Sequence, residues 1–207
     1  IAATAAFLSN LQTARITVPD TAVQAVIARL IAEKMFDQAW TIYAAAHAGS
    51  DRTYSRDPAF TAALTAPTAF DWIAINTPSI SAAILPDQTN GLFDFSVPMG
   101  HGGDVLRQFQ MLPAGDYVVT GRSSGVEQPR QSQPYWSLRC QGGNEIGRID
   151  IQNSSQAEGH FQGRLTVPAN CPAQMLVLIA RSSDDIGGVS GQIHHIEVRP
   201  ARTGAAQ

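Results

Sequence analysis

The sequence predicts an α+β chain in two successive parts: a short N-terminal helical-repeat segment, then an all-β antiparallel sandwich of jelly-roll type. Three observations predict it. Between Thr21 and Ala48 the apolar residues recur at helical spacing. After Pro67 they recur at every second position or in short continuous runs bounded by Gly, Pro, Asn or Asp. No helical pattern interrupts that second region, so its sheets are antiparallel. The boundaries that follow are 1–67 for the helical part, 68–200 for the sandwich and 201–207 for a tail.

In the first part Val23, Val26, Ile27, Leu30 and Ile31 form one apolar stripe, and Phe36, Ala39, Trp40, Tyr43 and Ala46 a second. Pro19-Asp20-Thr21 supplies a helix start and Gly49 a stop, with a short turn at Lys34-Met35. The expectation is an antiparallel helix pair, one unit of a helical repeat, that must bury its stripe against the sandwich or against further repeats. Residues 1–12 and 58–66 read as flanking helices, the latter opened by Asp57-Pro58.

In the second part ten strands are expected, at 70–75, 79–85, 91–97, 105–112, 116–123, 135–141, 146–152, 160–167, 175–180 and 192–199. Short strands at this spacing suit a two-sheet sandwich, and their number suits a jelly roll.

Composition excludes several functions. Only 15% of residues are charged and the net charge is -3, with no basic run and no acidic tail, so nothing marks a nucleic-acid or anionic-membrane partner. Thirteen of the fourteen basic residues are arginine, Lys34 being the exception, a bias that reads as codon usage. The longest apolar run, Met175 to Ala180, falls far short of the ~20 residues of a spanning helix, so no membrane insertion is expected. The chain begins at Ile1 without an initiator Met, which implies removal of a signal sequence or other upstream segment. Cys140 and Cys171, the only cysteines, are expected to form a disulfide between a strand end and a Pro-flanked loop, and hence to mark an exported, periplasmic or extracellular protein. Neither a metal site nor a cofactor is expected, because no cysteine or histidine cluster has ligand spacing.

Short motifs carry little chemistry. Gly121-Arg122-Ser123-Ser124-Gly125 matches a nucleophile elbow, but a loop with two prolines follows it where a helix would be needed. His194 and His195 are adjacent on a strand, so their side chains should point to opposite faces and not share a metal. The glycine-rich loop Met99 to Asp104 offers His101 and Asp104 to a ligand, and 183–188 is a second acidic turn.

Some strings resemble known families. Ala39-x-x-x-Tyr43-x-x-Ala46 resembles the second helix of a tetratricopeptide repeat, although Ile27 and Asp51 stand where that repeat has Gly and Pro. Leu106-x-Gln108-x-x-x-Leu112-Pro113-Ala114-Gly115-Asp116-Tyr117, the Trp136 to Cys140 strand and Phe70-Asp71-Trp72 resemble the tail domain of bacterial tetratricopeptide-repeat proteins found with exopolysaccharide genes. The closing strand, Gly191 to Pro200, resembles that of galactose-binding-like jelly rolls and carbohydrate-binding modules. These resemblances imply work beside a cell-envelope polysaccharide and bring no catalytic residues.

A sugar site needs an aromatic surface beside planar polar side chains. The candidates are Tyr135, Trp72, Arg107, Gln108, His101 and Asp104, while Trp136 alternates with Leu138 and Cys140 on a core face. The expected function is non-catalytic carbohydrate binding or scaffolding in the cell envelope, with a polysaccharide or oligosaccharide ligand and a protein partner on the helices. The alternatives are a structural interaction module without a glycan, and a jelly-roll lyase or hydrolase using carboxylates among Asp104, Glu145, Asp150 and Glu158.

Overall fold

A computed structural model describes residue 10 and residues 18–201. The expected helix over 1–12 lies outside the described residues, apart from residue 10. Two helices come first, α1 (Asp20–Ala32) and α2 (Phe36–Ala46). The hinge between them is a Schellman turn, in which Lys34 N–H donates to Ile31 O and Met35 N–H to Leu30 O. Lys34 sits at the left-handed position of that turn, with φ of 60°.

Ten strands follow: β1 (Ile73–Ala74), β2 (Ser81–Leu85), β3 (Leu92–Val97), β4 (Gly103–Gln110), β5 (Gly115–Ser124), β6 (Tyr135–Cys140), β7 (Glu145–Asp150), β8 (Gly159–Val167), β9 (Gln174–Ala180) and β10 (Val189–Pro200). They form two five-stranded sheets, ordered β1-β4-β9-β6-β7 and β2-β3-β10-β5-β8. Every strand pair is antiparallel. The inner faces bury each other through Leu106, Leu176, Leu178, Trp136 and Leu138 from the first sheet and Phe93, Phe95, Ile193, Ile196 and Val119 from the second. Apolar burial of this kind supplies the main driving force for closing the sandwich.

A second cluster joins the helices to the outer face and end of the first sheet. Val23, Ile27, Leu30, Trp40 and Tyr43 pack with Phe70, Phe109, Met111 and Ala173. The sandwich therefore takes the apolar stripe of the hairpin. Beneath it lies Arg56, almost fully buried. Its Nε donates to Phe70 O at 2.6 Å, and its Nη2 to Phe109 O and to Gln110 Oε1. The guanidinium carbon lies 5.4 to 5.9 Å from the ring centres of Trp40, Phe70 and Tyr43, within cation–π range. Burial lowers the Arg56 pKa to about 10, opposed by Tyr43 and Asp71, so the group stays charged at neutral pH.

The helix expected over 58–66 does not form. Asp57 and Phe60 take left-handed φ values of 46° and 54°, and the Asp57 carboxylate accepts the backbone N–H groups of Thr61 and Ala62. Phe60 is fully buried, 5.7 Å from Trp72 and 6.4 Å from Phe93 between ring centroids. Pro58 O and Val198 O meanwhile bond Ile196 N–H and Ser55 N–H, sewing the segment to β10. Tertiary bonds and one buried ring thus override the local Asp-Pro signal. Gly91 permits the approach, since a Cβ there would lie 2.0 Å from Phe60 O.

Cys140 and Cys171 are disulfide-bonded, tying the end of β6 to the loop before β9. The bridge spans 31 residues of sequence, for which loop-closure entropy predicts a stabilisation of about 3 to 4 kcal/mol. Cys140→Ser should therefore lower the melting temperature of oxidised protein and abolish its sensitivity to reductant; an unchanged melt excludes a stabilising bridge. Lys34→Gly should raise stability by about 1 kcal/mol by relieving the left-handed lysine, readable as a higher urea midpoint at unchanged slope.

Candidate functional site

The first sheet presents an outer face because alternate residues of its strands point away from the core. The register lines up Arg107 (β4), Val177 (β9), Ser137 (β6) and Arg148 (β7) in one cross-strand row. Asp104, Ile179, Tyr135 and Asp150 form the next. The helices cover the end of this face at Phe109, against which Phe36 packs at 5.7 Å between ring centroids. The two polar rows lie beyond that cover.

Val177 and Ile179 are buried although neither belongs to a hydrophobic cluster. Arg139 reaches across the same part of the face. Its Nε donates to Ser137 Oγ at 3.3 Å, and its Nη1 lies 3.7 Å from Asp104 Oδ2. The side chain thus extends from β6 toward β4, past the intervening β9.

Tyr135 is the centre of the face. The guanidinium carbons of Arg148 and Arg181 lie over its ring, 3.9 and 4.6 Å from the centroid. Arg181 is held hard: Nη2 pairs with Asp150 Oδ1 at 2.6 Å, while Nη1 donates to the carbonyls of Arg130 and Gln131. Arg148 is held at one end only, its Nε 3.4 Å from Glu145 Oε1. Beside this stack a cleft of about 480 Å³ is lined by Arg130, Gln133, Asp150, Gln152 and Asn153. Asn153 Oδ1 is fixed by Gln128 N–H at 2.9 Å and by the Gln133 amide. One tyrosine, several planar polar side chains and several exposed charges therefore converge at one edge of the sandwich, a geometry suited to a polar, hydroxyl-bearing ligand.

Of the six residues singled out in the sequence, Tyr135, Arg107 and Asp104 share this face. His101 is exposed in the adjoining loop, its ring bonded to Met99 O. Gln108 is fully buried, exchanging hydrogen bonds with the Arg56 backbone, so it offers nothing to a soluble ligand. Trp72 is 5% exposed; its Nε1 donates to Asp57 O and its ring packs on Phe60 and Trp136. Only its edge reaches a separate hollow of about 370 Å³, and no ring face is free for stacking. Arg139, Arg148, Arg181, Gln152 and Asn153 were not singled out, because strand order alone brings them to Tyr135. Trp136 is core, as its alternation predicts.

The other motifs resolve into structure. Ser123 is buried, facing Ser154 Oγ at 3.3 Å, and the segment after it is a loop with one 3-10 turn, Arg130–Ser132. The two histidines do not split between faces. A bulge between Ile193 and His195 inserts His194 as an extra residue. His194 Nε2 then meets Ser124 Oγ at 2.7 Å, and His195 pairs with the outward Arg122. Both lie on the solvent side of the second sheet. Among the described residues no group of three or more His, Cys, Asp or Glu is placed to hold a metal ion.

No family model matches the sequence, and no curated protein matches it. Many solved structures resemble the fold, three of them as follows. The enzymatically active domain of tailspike protein 4 from bacteriophage CBA120 is 14% identical, with a TM-score of 0.46 over 64% of this chain and 20% of its own. A CBM4 structure is 9% identical, at 0.48 over 73% of this chain and 99% of its own. An arabinose-bound α-L-arabinofuranosidase is 15% identical, at 0.53 over 75% of this chain and 28% of its own. The chain thus spans only a fifth to a little over a quarter of the two enzymes. At 15% identity, the likeness to the arabinofuranosidase is one of fold alone.

Burial holds the His195 pKa below its usual value, with Glu197 opposing and Arg122 reinforcing the shift. The unfolded chain then binds this proton more tightly, so the contribution to stability declines as pH falls through the ordinary histidine range near ~6.5. His195→Gln should flatten that part of the stability–pH curve; a decline of unchanged steepness assigns it to other groups.

Proposed function

We propose that the sandwich is a non-catalytic carbohydrate-binding module whose ligand lies along the outer face of the first sheet. The observation that carries this reading is the Tyr135 stack beside the cleft of Gln133, Gln152 and Asn153. Fixed amide and guanidinium donors there match sugar hydroxyls, and the tyrosine ring holds two of those guanidinium groups in place. The fold is compatible with the reading, since a sandwich like this one forms part of an arabinose-bound α-L-arabinofuranosidase. So does the state of the carboxylates. Asp104, Glu145, Asp150 and Glu158 are each paired with an arginine, respectively Arg139, Arg148, Arg181 and Arg122. That arrangement suits a binding surface better than a hydrolytic carboxylate pair.

The disulfide agrees with an exported protein, and among the described residues no helix is long and apolar enough to cross a membrane. We place the module in the cell envelope, bound to an exopolysaccharide, with the solvent side of the hairpin available to a protein partner.

Affinity electrophoresis or calorimetry against a panel of neutral and acidic polysaccharides tests the assignment. Tyr135→Ala, which removes the ring that holds Arg148 and Arg181, should weaken binding by roughly two- to thirtyfold and lower the melting temperature by no more than a few degrees. No retention on any polymer refutes glycan binding. Turnover of a polymer, abolished by substituting one carboxylate, refutes the non-catalytic assignment.

A further inference from the structure

The composition gives no hint of an anionic ligand, but charge is not spread evenly over the fold. Five of the thirteen arginines, Arg107, Arg130, Arg139, Arg148 and Arg181, lie on or at the rim of the outer face of the first sheet. The carboxylates paired there are three, Asp104, Glu145 and Asp150. The face therefore carries excess positive charge in a chain whose net charge is -3.

The arginines also differ in how far their donors are used. Arg139 and Arg181 are committed to Ser137, Asp104, Asp150 and two backbone carbonyls. Arg107 is exposed and, among the described residues, pairs with no carboxylate. Arg148 is tethered among the described residues only through Nε to Glu145, which leaves its two terminal amino groups unspent there. Its guanidinium carbon lies 3.9 Å from the Tyr135 ring centre, a contact that, with the Glu145 tether, restricts the side chain and leaves the terminal N–H pair as its open fork. A fork of that kind matches a carboxylate bidentately, as a lysine cannot.

Resting on the carbohydrate-binding reading above, we infer that the ligand is an acidic glycan whose uronic-acid carboxylate is held by Arg148 on its Tyr135 pedestal. Arg107, in the same cross-strand row three strands away, meets a second negative charge further along the polymer. Gln152 and Asn153 take ring hydroxyls in the adjoining cleft.

The test pairs uronate polymers, polygalacturonate, alginate and a glucuronate polymer, each with its carboxyl-reduced neutral form, against the intact chain at low and high salt. At least one acidic polymer should bind about ten- to a hundredfold more tightly than its reduced form, the range for losing one charge-assisted contact. High salt should weaken that binding. Arg148→Ala should remove the preference for the acidic polymer over its reduced form, costing the acidic form about ten- to a hundredfold and the reduced form only a few-fold; Arg148→Lys should recover only part of the preference. Equal binding of acidic and reduced polymers overturns the uronate assignment while carbohydrate binding stands. Equal binding of dextran sulfate or polyphosphate in place of the uronate overturns carboxylate recognition in favour of unspecific charge. Failure to bind any neutral or acidic polymer removes both readings together.

Discussion

Arg56 is the constraint on which the arrangement of the two parts depends. A guanidinium so deeply buried needs partners for its charge, because desolvating an unpaired ion costs several kcal/mol. Here Phe70 O, Phe109 O and Gln110 Oε1 accept from Nε and Nη2, while Nη1, without an acceptor among the described residues, lies among the rings of Trp40, Tyr43 and Phe70. The acceptors belong to β4 and to the segment before β1, whereas Trp40 and Tyr43 belong to α2. Satisfying one charge therefore fixes the hairpin on the sandwich. Tyr43 adds a second tie, donating its hydroxyl to Asp71 Oδ1 at 2.8 Å; burial, then Asp71, pushes its pKa up, so the phenol keeps that proton.

The position of the hairpin decides where a ligand can approach. It occupies the Phe109 end of the first sheet and stops short of the rows that hold Arg107, Ser137 and Arg148, and Asp104, Tyr135 and Asp150. Within those rows the sheet solves a second problem. Val177 and Ile179 point outward from a central strand, where bare apolar surface would invite association. Both are nonetheless buried, and Arg139 spans the face beside them, from Ser137 on its own strand to Asp104 on β4. The same face is thereby rigid, charged and accessible.

Much of this was legible in the sequence, and the limits are physical. The ten strands stand where alternation put them because each has one buried face, and a one-residue slip would expose it. β1 is shorter than expected, since Phe70 turns into the helix-side cluster and Trp72 into the core. The tetratricopeptide resemblance rested on one apolar stripe, and a stripe does not specify its partner; here the partner is the sandwich. The 58–66 helix failed because a local Asp-Pro signal competes poorly with a buried Phe60 and backbone bonds to β10. His194 and His195 were misplaced by a bulge, which breaks the parity that the alternation rule assumes.

The candidate site divides along the same line. Tyr135 was identifiable as outward-facing because its neighbour Trp136 had to be inward. Arg148 and Arg181 were not identifiable, lying 13 and 46 residues further along the chain. They meet Tyr135 only because β6 pairs with both β7 and β9. Net charge misled for a related reason. A total averages over the surface, whereas a ligand samples the potential over a Debye length of about 8 Å. Strand order gathers arginines from β4, β6, β7 and the end of β9 within a few such lengths, so a chain acidic as a whole offers a basic face locally.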